Sequence, residues 1–132
     1  EVILVDNNST DHTVKIAKRF PLSKIVMIDK FLPGKALNDG IRASNGQFIV
    51  CVSAHCIPKD EKWLSSLLKN FNGDKNIAGV YGRQLPVSFT DAVDKRDLLI
   101  VFGRDRKVQK KDYFFHNANS MIPREIWNKF FE

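Results

Sequence analysis

Apolar residues occur in short blocks along this chain, separated by clusters of polar turn residues. The first block runs from Glu1 to Val5 and is closed by Asp6, which predicts a buried strand. Asn7-Asn8-Ser9-Thr10-Asp11 then supplies turn and N-cap chemistry. Val14, Ala17 and Phe20 recur at helical spacing and predict a helix over 13–20, stopped by Pro21. A second strand is predicted over 25–28. Pro33-Gly34 opens a helix carrying Ala36, Leu37, Gly40 and Ile41, with Asn45-Gly46 as its C-cap. Residues 47–52 are apolar and β-branched, the pattern of a central strand covered on both faces. A helix beginning at Lys59-Asp60-Glu61 places Trp63, Leu64, Leu67, Leu68 and Phe71 in one buried stripe, and Asn72-Gly73-Asp74 ends it. A strand over 77–84, a helix over 91–102 and two short strands over 113–115 and 120–122 follow. Pro123 at a first helical position begins the last helix, through Ile126, Trp127 and Phe130.

Strand, helix, strand, helix, strand is the signature of an α/β fold with a mostly parallel central sheet. Ligands of such sheets bind beyond the carboxyl ends of the strands. Two polar loops fall at such ends, Asp6 to Asp11 and Ser53 to Pro58. The 132 residues suit one domain, and 43% hydrophobic against 27% charged excludes disorder and collagen-like repeats. No apolar run approaches the roughly 20 residues of a membrane-spanning helix.

Charge adds a preference among partners. Twenty-one Lys and Arg against fifteen Asp and Glu leave a net charge of +6, which suits phosphates, nucleic acid or an acidic membrane surface. Arg104, Arg106, Lys107, Lys110 and Lys111 fall within eight residues. They read first as a solvated basic loop, and otherwise as a face for anionic lipid or a lipid-diphosphate acceptor or, with the aromatics that follow, as a nucleic-acid surface. Cys51 and Cys56 have neither metal-site nor disulfide-framework spacing, so they read as reduced thiols in a cytoplasmic compartment.

Asp6 ends a strand where its carboxylate can accept hydrogen bonds from a base or a ribose, or can simply close the turn. Ser9 and Asp11 stand at the first helix's N-terminus, where they either cap it or help hold an anion. Asp94 and Asp97, with Arg96 between them, read as a surface salt-bridge pattern before an acceptor pocket.

The stretch Val5-Asp6-Asn7-Asn8-Ser9-Thr10-Asp11-His12-Thr13 resembles the "VDDGSTDGT" signature of inverting family 2 glycosyltransferases. Gly34-Lys35-Ala36-Leu37-Asn38-Asp39-Gly40 resembles the family's "GK-ALN-G" helix start. Asn45-Gly46-Gln47-Phe48-Ile49 resembles its "GEYI" segment, and Asn117 to Arg124 resembles "GAN-xxRR". Four motifs in order cover nearly the whole chain. The resemblance implies a GT-A fold, a three-layer nucleotide-sugar-binding architecture, and a nucleoside diphosphate sugar as donor. It implies a saccharide or lipid-linked hydroxyl acceptor, transfer with inversion, and a role in polysaccharide or glycolipid synthesis. By the same resemblance Asp6, Ser9, Asp11 and Lys35 contact the nucleotide. Ser53, His55 and Arg83 face the diphosphate or donor, and Gln84, His116, Asn117 and Asn119 face the donor sugar or acceptor. The implied location is the cytoplasm, with the inner face of the membrane as an alternative, and with no nucleic-acid partner.

The family normally places an Asp-x-Asp motif after its central strand, where the carboxylates hold Mn²⁺ or Mg²⁺. Ser53-Ala54-His55 stands there in this chain. Mg²⁺ prefers hard oxygen ligands, so His55 either ligates Mn²⁺ weakly or donates a hydrogen bond to a phosphate oxygen. The resemblance also places the family's first strand before Glu1. It reads Phe130-Phe131-Glu132 as the start of an "FDE" turn and puts the general base beyond Glu132. Residues 1–132 are thus expected to be part of one catalytic domain, cut at both ends and inactive alone. Two rivals remain, a nucleotidyltransferase and a non-catalytic nucleotide-sugar-binding module.

Overall fold

The computed structural model describes residues 1–73 and 76–131, leaving Asp74 of the third helix's stop and Glu132 of the terminal turn outside the described residues. The order of elements is β1 (Ile3–Asp6), α1 (Thr13–Ala17), β2 (Lys24–Met27), α2 (Pro33–Arg42), β3 (Phe48–Val52), α3 (Trp63–Leu68), a 3-10 turn (Lys69–Phe71), β4 (Val80–Tyr81), α4 (Ala92–Phe102), β5 (Asn119–Pro123) and α5 (Arg124–Phe131). Mixed α/β architecture agrees with the alternating pattern. The chain divides into two compact units, Glu1–Ile49 and Val50–Glu132.

In the first unit β1 and β2 pair in parallel, with Ile3 opposite Lys24 and Asp6 opposite Met27. Ile28, Ala36, Ile41 and Ile49 are buried. Gly40 lies where α2 meets β1, and a Cβ there would stand 2.8 Å from Val5 Cγ2. Glycine in mid-helix costs about 1 kcal/mol against alanine, but here it permits the close approach. Helix α1 is shorter than its pattern predicts. Arg19 and Phe20 donate backward to Ile16 and Ala17, tightening the chain after Ala17, and Phe20 is exposed. The end of α2 also differs from the expected Asn45-Gly46 cap. Its C-cap is Ala43 in right-handed geometry, and Gly46 is not left-handed. The Glu1 carboxylate instead accepts from the Asn45 and Gly46 N–H groups, while Ser44 Oγ donates to the Ile41 carbonyl.

The second sheet is ordered β3-β5-β4, with β4 antiparallel to β5. Its central strand β5 carries the best-buried residues, Ser120 at 1% and Met121 at 2% exposure. Cys51, Leu67, Phe102 and Trp127 complete that core. Tyr81 gathers Phe102, Phe114 and Phe115 edge-on, with ring centroids 6.3, 5.7 and 5.7 Å away. Asp91 caps α4 by accepting from the Val93 and Asp94 N–H groups at 2.8 and 2.9 Å. Gly103 ends α4 at φ 62°, a conformation that disfavours any side chain.

Five further expectations change here. Residues 47–52 do not form the central strand, since β3 stands at the end of the order β3-β5-β4 and Val52 is exposed. The strand predicted over 77–84 shrinks to Val80–Tyr81 because Gly79 and Gly82, tightly packed on both sides, carry no side chain to extend it. Tyr113 to Phe115 is not a strand, since the Phe114 N–H is taken by the Asp112 carboxylate. Helix α3 begins at Trp63, not Lys59, and only Leu67 of its apolar stripe is fully buried. Leu64 and Leu68 are exposed. Pro123 is the last residue of β5 rather than the first of α5.

Candidate functional site

In the first unit the polar loop at the carboxyl end of β1 is built around Asp6. This carboxylate is only 4% exposed. Its Oδ1 accepts from Ser9 Oγ at 2.6 Å and its Oδ2 from the Ser9 N–H at 2.8 Å. Charge-assisted bonds of this kind are about twice as strong as neutral ones. Asn8 takes a positive φ of 54°, which folds the loop back so that Ser9 meets Asp6. Each carboxylate oxygen retains a lone pair after bonding Ser9, so Asp6 can still accept from a ligand. Asp11 is exposed and accepts from the Thr13 N–H at 2.8 Å. Its hydrogen bonds from Thr13, side chain first and backbone second, hold its carboxyl below the usual carboxylate range. Asp11 therefore braces the start of α1, whose formal N-cap His12 makes no side-chain cap bond. Lys35 pairs with Asp39 one turn on, and Asp39 also takes Arg42 at 3.4 Å.

In the second unit the loop after β3 is tied to the segment before β5. The Ser53 N–H donates to the Ala118 carbonyl at 3.0 Å, and the Cys56 N–H turns back to the Ser53 carbonyl at 2.9 Å. The Gln84 carboxamide nitrogen reaches Cys56 Sγ at 3.6 Å and His116 Nδ1 at 3.5 Å. The Ala118 N–H also points at His116 Nδ1, at 3.3 Å. Two donors on Nδ1 make it the acceptor, so the imidazole proton sits on Nε2. Phe102 holds the ring edge-on at 5.1 Å. His55 and Asn117 are exposed beside these groups in sequence. Ser53, Cys56, Gln84 and His116 thus come together.

Arg83 and Asn119 are engaged differently from their sequence reading. Arg83 donates to the carbonyls of Gly103 and Arg104 at 3.3 and 3.2 Å, which ties the segment after β4 to the start of the basic loop. Asn119 Oδ1 accepts from Trp63 Nε1 at 2.8 Å. Its carboxamide lies against Gly82, whose position leaves no room for a Cβ. Trp63 was legible only as an apolar member of a helix, and its indole N–H bond spans 56 residues of sequence, so no local signal marks it. Gly82→Ala should displace Asn119, leave the Trp63 N–H without its acceptor and cost about 1–3 kcal/mol. Chemical denaturation of the variant checks this, and unchanged stability would assign Asn119 a looser seat.

Burial pushes the Cys51 thiol up, and a bond from Ser120 only partly offsets this. Cys51 is a core residue, as its apolar setting predicts. Among the described residues no group of three or more His, Cys, Asp or Glu comes together to hold a metal ion. The loop from Ser53 to Cys56 offers a hydroxyl, an imidazole and a thiol but no carboxylate. These groups do not fit a Mg²⁺ site, which demands near-octahedral oxygen ligands. Among the described residues no helix is long and apolar enough to cross a membrane.

The comparison with known proteins agrees with the four motifs. An O-antigen chain rhamnosyltransferase of Salmonella anatum, WbaN, is 35% identical over 88 residues. That alignment covers 65% of this chain and 28% of WbaN, so the matched region spans less than a third of the relative. The family described as Glycosyl transferase family 2 matches residues 1–131, nearly end to end. On that match, this chain belongs to glycosyl transferase family 2.

Proposed function

We propose that residues 1–132 form part of the GT-A catalytic domain of an inverting glycosyltransferase. The reaction moves a sugar from a nucleoside diphosphate sugar to a hydroxyl of a saccharide or lipid-linked acceptor, in polysaccharide or glycolipid synthesis. The observation that carries the reading is the buried Asp6 carboxylate at the carboxyl end of β1, held by both Ser9 donors with acceptor capacity left over. Family membership supports the activity, and the name of the Salmonella relative puts a rhamnosyl group first among sugars to test.

In this reading Asp6 accepts an N–H of the base, and Ser9 fixes the carboxylate's orientation. Asp11 shapes the same loop through Thr13. Lys35 is exposed, and an exposed ion pair contributes at most about 1 kcal/mol, so its ammonium can leave Asp39 for a phosphate. Ser53 and His55 contact the diphosphate. Arg83 reaches the donor only by giving up its two carbonyls. Gln84, His116, Asn117 and Asn119 line the sugar side, with the His116 Nε2–H as a fixed donor. The departing diphosphate gains negative charge, and preorganised donors would stabilise it. The acceptor proton passes to a general base, a role given to none of the residues named above. A divalent cation, Mn²⁺ or Mg²⁺, is assigned no step. The absence of a carboxylate from Ser53 to Cys56 favours a second reading, a nucleotide-sugar-binding module without catalysis.

Calorimetric titration of the full-length protein with nucleoside diphosphates, in Mn²⁺ and in EDTA, tests the proposal. One preferred nucleotide, followed by sugar transfer from the matching donor, is the expected result. Binding without transfer favours the module. A well-folded protein that binds no nucleotide overturns both readings.

A further inference from the structure

The C-terminal end of α4 and the loop after it carry none of the residues assigned above to the donor or acceptor. Five cations stand between Arg104 and Asp112 against two carboxylates, Asp105 and Asp112. All residues from 104 to 114 are exposed. Three apolar side chains within or beside this stretch face water. Tyr113 is 100% exposed, Val108 74%, and Ile100 on the last turns of α4 69%. Isolated exposed apolar residues are ordinary, but exposed apolar residues set in a strongly net-positive loop mark a candidate interaction surface.

The loop is also held in shape. Asp112 accepts from Gln109 Nε2 at 3.0 Å and from the Phe114 N–H at 2.9 Å. Gln109 Oε1 accepts from the Tyr81 hydroxyl at 2.8 Å. Arg83, two residues after β4, holds the Gly103 and Arg104 carbonyls. The anchoring therefore uses Tyr81, Arg83, Gln109 and Asp112. Arg106, Lys110 and Lys111 remain exposed and enter none of these bonds. A sheet-anchored loop presents these charges at less entropic cost than a free coil would.

We propose that this surface, from Ile100 through Tyr113, docks on an anionic lipid bilayer. Arg106, Lys110 and Lys111 would meet headgroup phosphates, while Val108, Tyr113 and Ile100 enter the interfacial layer. Apolar burial and electrostatic attraction add in such binding, and tyrosine is enriched at that depth. Charge complementarity selects the occupant, because a net-positive loop mixed with apolar groups matches an anionic interface rather than a second copy of itself. Docking deepens the reading of a lipid-linked acceptor and rests on it for its purpose, but its physical basis is separate.

Sedimentation of the full-length protein with lipid vesicles tests it, in the absence of nucleotide. Vesicles of phosphatidylcholine with about a third phosphatidylglycerol should bind the protein, pure phosphatidylcholine should not, and salt should weaken binding. Each Lys or Arg contributes about 1 kcal/mol near such a surface, so combined Arg106→Ser, Lys110→Ser and Lys111→Ser should lower the partition coefficient roughly a hundredfold. Ile100→Ser with Val108→Ser should lower it several-fold at low salt. Both variants should keep the wild-type circular dichroism and nucleotide affinity. A folded wild type that ignores anionic vesicles overturns the proposal, as does binding that neither variant changes. Self-association without lipid that the Ile100 and Val108 variant abolishes also overturns it, by assigning the patch to a second copy. Vesicle binding that persists where no nucleotide binds would instead count against the transferase reading alone.

Discussion

Asp6→Ala should weaken nucleotide binding by about 10- to 100-fold, the range for losing hydrogen bonds to a charged group at roughly 1.5–3 kcal/mol. The carboxylate is nearly fully buried, so its loss removes a preformed acceptor rather than a mobile surface charge. Two further variants separate ligand binding from loop repair. Ser9→Ala deletes the 2.6 Å hydroxyl bond but leaves the backbone N–H bond to Oδ2 intact. It should therefore cost less, about threefold to tenfold in affinity. Asp6→Asn keeps the shape and one acceptor but turns an amide donor toward one Ser9 donor, and should fall near alanine. Calorimetry with the preferred nucleotide orders the three. If Asp6→Ala binds like wild type, Asp6 is only a clip for its own turn. If all three lose affinity equally while also losing helical signal, the effect is loop collapse rather than lost recognition.

Met121→Ala should give the largest loss of stability, about 2–5 kcal/mol, because truncating a buried long side chain removes its transfer free energy and leaves a cavity. Met121 is 2% exposed on the central strand of the second sheet, opposite Val80. The same strand carries Asn119, and the chain reaches it through His116 and Asn117. Softening β5 should therefore disturb the Trp63–Asn119 bond as well as the core. Leu68→Ala is the matched control. Leu68 belongs to the apolar stripe that the sequence assigns to the core, yet it is 40% exposed, so its truncation should cost under about 1 kcal/mol. Urea denaturation of both variants measures the difference. Equal losses would mean that Leu68 is covered in solution and that the apolar pattern was the better guide to its burial.

The sequence by itself determined the alternation of strands and helices, the two polar loops at strand ends, and membership of the family through four motifs in order. It also marked Asp91 as the start of α4 and Cys51 as core. These are local properties: hydrophobic period, capping chemistry and turn composition act within a few residues of chain. What they could not carry is distance in space. The Asp6–Ser9 clasp needed the positive φ at Asn8 before two nearby residues became one site. Glu1 at the end of α2, Trp63 on Asn119, and Gln84 between Cys56 and His116 each join residues 28 or more apart. Side-chain hydrogen bonds depend on positions to within a few tenths of an ångström, and only the packed fold sets those positions. The strand at Ile77 to Gln84 shortened for the same reason, since close packing at Gly79 and Gly82 is a tertiary fact that no β-propensity encodes. Arg83 reads in sequence as a donor contact, and the tertiary structure alone turned it toward the basic loop, because the carbonyls of Gly103 and Arg104 came within its reach.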